Sequence, residues 1–307
     1  MADKRCVIEG YGSIGARHAG LLQELGQEVA CVTRRNDVPF PVFRTPDEAL
    51  AEFHPDLYLI TTPTAEHLHS LRRLEKLEYD GTVLLEKPLG NTLAECGESP
   101  PFPVYIAYNM RFHPVVERLK VALGDEPVMA ARLSVGQYLP DWRPGRDYSK
   151  TYSAIRAQGG GVLRDLSHEL DLVRFFLGRC RKVTARLGTW SNLQIDTEDC
   201  VDMLLITEHC PVVNVHLDYL DRNPHRHMIL HTPTRTLTAD LWHGALTING
   251  DTENFTVERN DSFRKQLRKL LKNDVTDLCT WSEGMETMRV MNAVEKAAQI
   301  LSWEELS

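Results

Sequence analysis

Residues 6–26, CVIEGYGSIGARHAGLLQELG, run from a short apolar segment through three glycines into a stretch of helical periodicity. Cys6, Val7 and Ile8 predict a strand, and apolar residues then recur at helical spacing from Ile14 up to Gly26. In the spacing GxGxxG, the first glycine permits a tight turn, the second lets the backbone approach a pyrophosphate, and the third lets the helix pack on the strand. Because a strand precedes the motif and a helix follows it, we predict a dinucleotide site rather than an ordinary glycine-rich turn. Its candidate phosphate-binding residues are Gly10, Gly12, Ser13, Ile14 and Gly15.

The second predicted strand, residues 28–32, ends where the adenosine ribose of a dinucleotide would lie. Thr33, Arg34 and Arg35 follow it, at a place where an NAD site usually carries Asp or Glu. Two arginines suit a 2′-phosphate and can also stack on adenine. The sequence therefore favours NADP over NAD, while a purely solvated arginine pair stays the alternative.

Strands and helices alternate through the first third of the chain. A helix from the Thr45 cap to Phe53, a strand at 57–61, a helix at 65–77 and a strand at 82–85 follow one another. This order predicts a parallel sheet with helices on both faces, in which ligands bind beyond the carboxyl ends of the strands. The residues that follow those strand ends are therefore candidate cofactor ligands: Thr61, Thr62, Pro63, His67, Glu86 and Lys87.

Residues 159–178, GGGVLRDLSHELDLVRFFLG, predict a flexible glycine run followed by one amphipathic helix. Asp165 and His168 would lie one turn apart on neighbouring faces of that helix. They are candidates for acid–base chemistry. In the alternative interpretation, Asp165 interacts with the positive end of the helix dipole and His168 is a boundary histidine.

The overall composition excludes several classes of protein. The 307 residues are 42% hydrophobic, which allows two domains with cores, and the net charge of −8 argues against nucleic-acid and anionic-membrane partners. Seven cysteines without a CxxC pair indicate a reduced protein without a disulfide framework or zinc knuckle. The N-terminus lacks the pattern of a signal peptide, and no apolar run reaches the ~18 residues of a membrane span. We therefore expect a cytoplasmic protein with a small-molecule partner.

The rest of the chain predicts a second domain rich in strands. A helix is expected at 115–123 and a last helix at 284–300, with strands at 129–135, 183–187, 201–206, 212–219, 228–231, 236–241 and 245–248. The loop QYLPDWRPGRDYSKTY (137–152) offers aromatic faces for a sugar and guanidinium groups for an anion. Its candidate substrate residues are Trp142, Arg143, Tyr148 and Tyr152, and a packed surface loop is the alternative. His225 and His227 lack companion ligands in the sequence, so no metal site is expected there.

Five motifs together resemble the Gfo/Idh/MocA family of nicotinamide-dependent oxidoreductases. They are GYGSIG (10–15), TPTAEH (62–67), EKP (86–88), YNMRF (108–112) and GGGVLRDLSHELDL (159–172). The resemblance implies a Rossmann domain over residues 1–113 and, over residues 114–307, an α/β domain built on an open, largely antiparallel sheet. It also implies a cis peptide before Pro88 and a homodimer or homotetramer assembled through the second domain's sheet.

The same resemblance implies roles for individual residues. Lys87 would lie near the nicotinamide and the substrate, and His168 would be the catalytic acid or base with Asp165 as its helper. In the YNMRF motif, Asn109 would contact the cofactor and Arg111 the substrate. Asp171, three residues after His168, agrees with the family pattern, whereas Asp165 precedes His168 by three residues and not by the family's four. The WRPGRDY loop resembles a branch associated with bacterial surface-glycan and sialic-acid-like sugar biosynthesis.

The resulting expectation is hydride transfer between NADP, or NAD, and a secondary alcohol or ketone of a sugar derivative. We expect this sugar to be anionic, such as a nucleotide sugar or a sialic-acid-like sugar. Two alternatives stay open at this point. One is an NAD-dependent glycoside hydrolase on the same scaffold, and the other is a cofactor-sensing regulator without catalysis. The presence of both Lys87 and His168 counts against the regulator.

Overall fold

The computed structural model describes residues 4–306, which form two compact units. The first unit contains the chain up to Asn109 together with Phe263–Met285, and the second contains Met110–Ser262 together with the chain from Glu286. This division differs from the expected one, in which residues 114–307 form a continuous second domain. The segment Phe263–Met285 belongs to the first unit because it adds a strand to that unit's sheet and packs the ring of Phe263 edge-on against His18, with centroids 5.6 Å apart.

The helices and strands have the following bounds. The helices are α1 Ser13–Glu24, α2 Pro46–Phe53, α3 His67–Lys76, α4 Pro114–Leu123, α5 Val162–Asp165, α6 His168–Leu177, α7 Asp261–Leu271 and α8 Trp281–Ile300. The strands are β1 Arg5–Glu9, β2 Glu28–Val32, β3 Val42–Phe43, β4 Leu57–Ile60, β5 Thr82–Leu85, β6 Val104–Ile106, β7 Ala130–Gly136, β8 Cys180–Gly188, β9 Cys200–Thr207, β10 Val213–Asp218, β11 His225–His231, β12 Thr236–Asp240, β13 Ala245–Ile248, β14 Asp251–Asn254, β15 Cys279–Thr280 and β16 Glu304–Glu305.

The sheet of the first unit has seven strands in the order β3-β2-β1-β4-β5-β6-β15. All neighbours are parallel except β15, which pairs antiparallel with β6. The central strands β1, β4 and β5 are almost continuous apolar runs, as a sheet covered on both faces requires. The first six strands follow the order of a dinucleotide-binding fold, so the predicted Rossmann architecture is confirmed.

The sheet of the second unit has nine strands in the order β14-β13-β12-β11-β7-β10-β9-β8-β16. Only β7 and β10 pair in parallel, so the sheet is open and largely antiparallel, as expected. Alternation along β10 buries Val213, Val215 and Leu217 completely, whereas Asn214 and His216 stay partly exposed. One face of the sheet therefore packs in the core of the unit, and the other face carries polar side chains.

None of the helices within residues 4–306 combines the length and the apolar character that crossing a bilayer requires.

The start of α4 contains a buried histidine whose charge is coupled to stability. The Nδ1 atom of His113 accepts the N–H of Val115 at 3.3 Å, which caps the helix, and the residue is 6% exposed. Burial and the nearby charge of Arg226 lower the pKa of His113 to about 4. An unfolded histidine has a pKa of about 6.5, so the unfolded chain binds more protons between these two values and stability falls as the pH drops through them.

We expect His113→Asn to reduce the acid sensitivity of the protein, because asparagine keeps the cap and does not titrate. The pH-dependent contribution of His113 is on the order of 3 kcal/mol between about pH 6.5 and pH 4. Thermal unfolding measured from pH 7 to pH 4 should show a smaller decline in Tm for the variant than for the wild type. His243→Asn is the matched control, since its side chain is 70% exposed and should leave the decline unchanged. Equal slopes for His113→Asn and the wild type would contradict the assignment.

Candidate functional site

The glycine turn between β1 and α1 has the shape of a phosphate-binding turn. Gly12 caps α1, and a Cβ added to it would meet no atom within 4 Å, so its backbone is open to a ligand. A Cβ on Gly15 would lie 2.0 Å from the oxygen of Gly10, which explains the third glycine. Open backbone at the start of a helix fits the pyrophosphate of a dinucleotide. Ser13 and Ile14 are the first residues of the helix, as the sequence predicts.

Thr61 supports this turn from inside the unit. Its hydroxyl lies 2.6 Å from the oxygen of Gly10 and 3.0 Å from that of Glu9, and the residue is 6% exposed. Thr61 therefore holds the turn in place, and its predicted contact with a cofactor stays a prediction.

His67 occupies a buried position between two strand ends. Its Nδ1 lies 2.9 Å from the oxygen of Pro88, its Nε2 lies 3.1 Å from the oxygen of Thr62, and the residue is 1% exposed. Burial lowers the pKa of His67, and the neutral ring has a single N–H to donate to one of these carbonyls. His67 itself follows β4, so a hydrogen bond donated from its Nδ1 to the Pro88 oxygen ties this part of the chain to the segment after β5. The cofactor contact expected for His67 stays a prediction, as do those of Thr62 and Pro63, which precede it in the same segment.

The EKP motif is fixed through its glutamate. One oxygen of Glu86 accepts a hydrogen bond from Nε2 of His18 at 2.9 Å, and the other accepts the backbone N–H of Lys87 at 3.3 Å. The peptide between Lys87 and Pro88 is cis, as the resemblance implied. His18 is fully buried and was not identified from the sequence as a site residue. Its position in the apolar stripe of α1 could have indicated this role, because a polar side chain that is buried there needs a hydrogen-bond partner.

The region after β2 contains both arginines expected near the adenosine end. Arg35 donates from Nε to Asp37 at 2.9 Å and from Nη1 to the oxygen of Tyr11 at 3.3 Å. Arg34 is exposed, and Thr33 accepts the N–H of Arg35 through its hydroxyl at 3.2 Å. Asp37 therefore offsets much of the charge of Arg35, which leaves Arg34 as the better candidate for an anionic group.

In the second unit, the predicted single helix is divided into α5 and α6. The break lies at Leu166 and Ser167, where Leu166 has φ −100° and ψ 28°. His168 is therefore the first residue of α6 and is not one turn along the same helix as Asp165. Within residues 159–173, His168 alone is not buried.

Two tyrosines hold Asp165 immediately before this break. The hydroxyl of Tyr219 donates to Asp165 at 2.7 Å, and the hydroxyl of Tyr152 is hydrogen-bonded to the same carboxylate. The charge of Asp165, followed by burial, raises the pKa of Tyr152, whereas burial, followed by Asp165, raises that of Tyr219. Both hydroxyls thus stay protonated donors. The sequence placed Tyr219 on the core face of β10 and its extension but gave no sign of its partner.

The glycine run before α5 is tightly packed. Gly161 has φ +113°, and a Cβ there would lie 2.2 Å from Oε1 of Glu198, the atom that accepts the N–H of Leu163 at 3.2 Å. The expectation of a flexible run is wrong, because a buried carboxylate occupies the space that a side chain would need. Glu198 itself was not identified from the sequence.

In the loop at 137–152, the candidate substrate residues also contact other parts of the protein. Trp142 donates from Nε1 to the oxygen of Gln137 at 3.1 Å, and its ring packs edge-on against Tyr219 with centroids 5.2 Å apart. The guanidinium of Arg143 lies 5.3 Å from the ring centre of Tyr152, and Tyr148 accepts the N–H of Gln194 at 3.1 Å. Trp142, Arg143 and Tyr148 share the lining of a small pocket. Trp142 and Tyr148 thus have structural contacts besides the substrate role expected for them.

Arg111 forms a buried ion pair with Asp171 on α6. Its Nε and Nη2 lie 2.9 Å and 2.6 Å from the two carboxylate oxygens, and the side chains are 1% and 0% exposed. This pair connects Arg111 to α6, and the substrate contact expected from the YNMRF motif stays a prediction. Asn109 of the same motif is 4% exposed.

His225 and His227 lie with their ring centres 5.4 Å apart. Each is paired with an aspartate: His225 with Asp221 at 3.0 Å, and His227 with Asp240 at 3.3 Å. The expectation that they bind no metal stays a prediction.

Comparison with protein families identifies the class to which these features belong. Residues 4–99 match the model of the oxidoreductase family with an NAD-binding Rossmann fold, Gfo/Idh/MocA, and residues 127–238 match the Gfo/Idh/MocA C-terminal domain. The chain therefore belongs to the Gfo/Idh/MocA oxidoreductase family and contains its NAD-binding domain.

Individual proteins similar to this chain include sugar dehydrogenases. Levoglucosan dehydrogenase of Pseudarthrobacter phenanthrenivorans is 27% identical over 145 residues, a match that spans 44% of this chain and only 37% of the relative. WlbA dehydrogenase of Bordetella pertussis, solved with NADH and UDP-GlcNAcA, has a TM-score of 0.80 at 15% identity, over 99% of each chain. UDP-N-acetylglucosamine 3-dehydrogenase GnnA of Acidithiobacillus ferrooxidans has a TM-score of 0.80 at 20% identity, over 98% of this chain and 99% of that one. The two structural matches show the shared fold.

We expect Tyr219→Phe to destabilise the protein by about 1–3 kcal/mol, because it removes one donor from a buried carboxylate. The measurement is the shift in Tm by differential scanning calorimetry. Tyr148→Phe is the control, since the Tyr148 hydroxyl only accepts a backbone N–H in a half-exposed loop. If Tyr219→Phe had the same Tm as the wild type, the hydrogen bond to Asp165 would not contribute to stability.

Proposed function

We propose that the protein catalyses reversible hydride transfer between a nicotinamide dinucleotide and the carbon of a sugar derivative that carries a secondary hydroxyl or a ketone. The observation that carries the proposal is the exposure of His168 within an otherwise buried run, residues 159–173. His168 begins α6, and a histidine in its neutral form can accept a proton. When bound, the nicotinamide supplies the hydride acceptor or donor.

The proposal gives each residue a distinct role. In the oxidative direction, His168 takes the proton of the substrate hydroxyl as the same carbon loses its hydride, and the alcohol becomes a ketone. In the reductive direction, His168 returns that proton to the oxygen. The ammonium group of Lys87 stabilises the negative charge that develops on this oxygen. Support for Lys87 comes from the family resemblance and from Glu86, which holds the Lys87 backbone.

Asp165 acts in this proposal as a positioning residue. Only Leu166 and Ser167 separate it from His168, and the hydroxyls of Tyr219 and Tyr152 fix its carboxylate. A fixed Asp165 therefore limits the movement of the backbone from which His168 projects.

For the substrate, we propose an anionic sugar, such as a nucleotide sugar or a sialic-acid-like sugar. Arg143 supports this class, since its guanidinium lies beside the aromatic ring of Tyr152 in the loop at 137–152. The names of two structural neighbours contain UDP-sugars, which are anionic, and this supports the proposal. Levoglucosan, in the name of another relative, is a neutral anhydrosugar and is the alternative. A panel of UDP-sugars, free uronic acids and levoglucosan, assayed by NAD(P)H absorbance, distinguishes these classes. We also propose a homodimer or homotetramer.

On the best substrate of that panel, Lys87→Met and His168→Ala should each lower kcat by about 10²–10⁴-fold, the usual contribution of an acid–base group. Kd for the cofactor, measured by fluorescence titration, should change little. His243→Ala, at an exposed histidine, is the control and should retain wild-type kcat. Near-normal turnover in both Lys87→Met and His168→Ala would overturn the proposed function.

For the cofactor, we propose a preference for NADP within the family's nicotinamide dinucleotides. Support comes from Arg34 and Arg35 after β2, at a position where an acidic residue would favour NAD. The pairing of Arg35 with Asp37 assigns the larger role in binding a 2′-phosphate to Arg34.

Arg34→Ser should weaken NADPH binding about tenfold or more, because a charge-assisted hydrogen bond to the 2′-phosphate is lost, and should leave NADH binding nearly unchanged. Asp37→Asn is the matched control for local charge: it should not weaken NADPH binding, since it removes a negative group beside Arg35. Both affinities are measured by quenching of protein fluorescence. Tighter binding of NADH than of NADPH by the wild type would reject the preference.

A further inference from the structure

A cluster of metal-binding side chains lies on the polar face of the second unit's sheet. It consists of Cys200 and Asp202 of β9 and His216 of the neighbouring strand β10. Their Sγ, carboxylate oxygen and imidazole nitrogen lie within 4.8 Å of one another. Among the side chains that the structure describes, these three form the one group of at least three His, Cys, Asp or Glu residues with such spacing.

The strand register explains why the three side chains converge. Cys200 and Asp202 are two residues apart on β9, so they point to the same face, and His216 lies directly opposite Asp202 on antiparallel β10. Two donors on one strand and a third on its neighbour form a triangle on a rigid support. In a tetrahedral zinc site, metal–ligand bonds of about 2.0–2.3 Å place the donors roughly 3.5 Å apart. The three donor atoms must therefore move about an ångström closer to one another to reach this spacing. Rotation of their side chains is sufficient for such a movement.

A fourth residue orients the histidine. The Nε2 atom of His216 lies 3.0 Å from Asp218, and its Nδ1 lies 3.0 Å from Asp202. The other oxygen of Asp218 accepts the N–H groups of Leu220 and Asp221 at 2.6 Å and 2.7 Å, so this carboxylate is itself fixed. A histidine that binds a metal through one nitrogen usually donates its other N–H to a carboxylate, and Asp218 supplies that partner.

We infer that Cys200, Asp202 and His216 form a binding site for a borderline divalent transition metal such as Zn²⁺, with Nδ1 of His216 as the nitrogen ligand. Thiolate, imidazole and carboxylate are the donor types of zinc sites. The thiol of Cys200 gives up its proton on binding, and His216 binds in its neutral form. Asp202 and His216 are 56% and 33% exposed in the single chain, which leaves room for a water molecule as the fourth ligand. The site ties β9 to β10 and is independent of the proposed hydride transfer.

Cobalt titration of the metal-stripped full-length protein tests this site, because Co²⁺ bound to a thiolate has a characteristic near-ultraviolet charge-transfer band. The wild type should bind one Co²⁺ per chain with this band, and Zn²⁺ should abolish it by displacement. Cys200→Ser should lose the band, and His216→Gln should weaken Co²⁺ binding about 100-fold or more. Asp218→Asn keeps the ligands and the turn acceptor, so binding should weaken about 10–100-fold while the band is retained.

Two controls separate this site from other donors on the chain. Cys180→Ser changes a half-buried cysteine of the same unit, and His227→Gln changes a different His–Asp pair of the same sheet, so both should keep the band and the wild-type affinity. Far-ultraviolet circular dichroism verifies that each variant is folded. Absence of a thiolate band in the wild type, or its persistence in Cys200→Ser, would overturn the inference. A Tm increase with Zn²⁺ in the wild type but not in Cys200→Ser would support it independently of cobalt.

Discussion

The hydrogen bond between the hydroxyl of Tyr219 and the carboxylate of Asp165 is the interaction on which the second unit's site depends. Tyr219 directly follows β10 in the sheet, and Asp165 is the last residue of α5. The same tyrosine packs against Trp142 and accepts, through its backbone oxygen, the N–H of Leu139 at 3.0 Å. A single buried side chain thus fixes the end of α5 and the beginning of the loop at 137–152. The end of α5 and this loop are therefore linked through Tyr219.

Buried carboxylates organise both units in a similar way. Glu86 accepts from His18 and from the backbone of Lys87, and Asp171 pairs with Arg111 beside α6. Glu169, adjacent to His168, lies 2.8 Å from Arg226 and is 2% exposed. An ionised carboxylate is costly to bury unless donors surround it, so each of these groups specifies the position of its partners. The carboxylates beside His168 and Lys87 therefore hold the backbone segments that carry these two residues.

Much of the fold could be predicted from local patterns. Residues 28–32 and 82–85 were predicted as strands with the observed bounds, and the Thr45 cap accepts the N–H of Glu48 at 3.2 Å as its sequence indicates. These features depend on neighbouring residues in the chain. The division of residues 162–177 could not be predicted, because its apolar periodicity suits a continuous helix and the contacts at Asp165 come from the distant residues Tyr219 and Tyr152.

Among the site residues too, local features could be predicted and contacts between distant residues could not. The roles of Gly12, Gly15 and the EKP motif are local, and the sequence identified them. His18, Glu198 and Tyr219 act through partners that are 35 to 68 residues away in the chain, so composition and spacing gave no indication of them. Arg111 and His67 were assigned ligand roles because they lie in motifs, but burial gives them partners within the protein.

The return of Phe263–Met285 to the first unit has a consequence for synthesis on the ribosome. When Asn109 has emerged, β6 still has an unpaired edge, since its neighbour β15 lies at residues 279–280. The ring of Phe263 that packs on His18 is also absent until then. The nascent Rossmann sheet must therefore persist with an open edge while more than half of the chain is made, a period in which unpaired strand edges favour association with other chains. Completion of the first unit is thus delayed until residues 263–285 have been made.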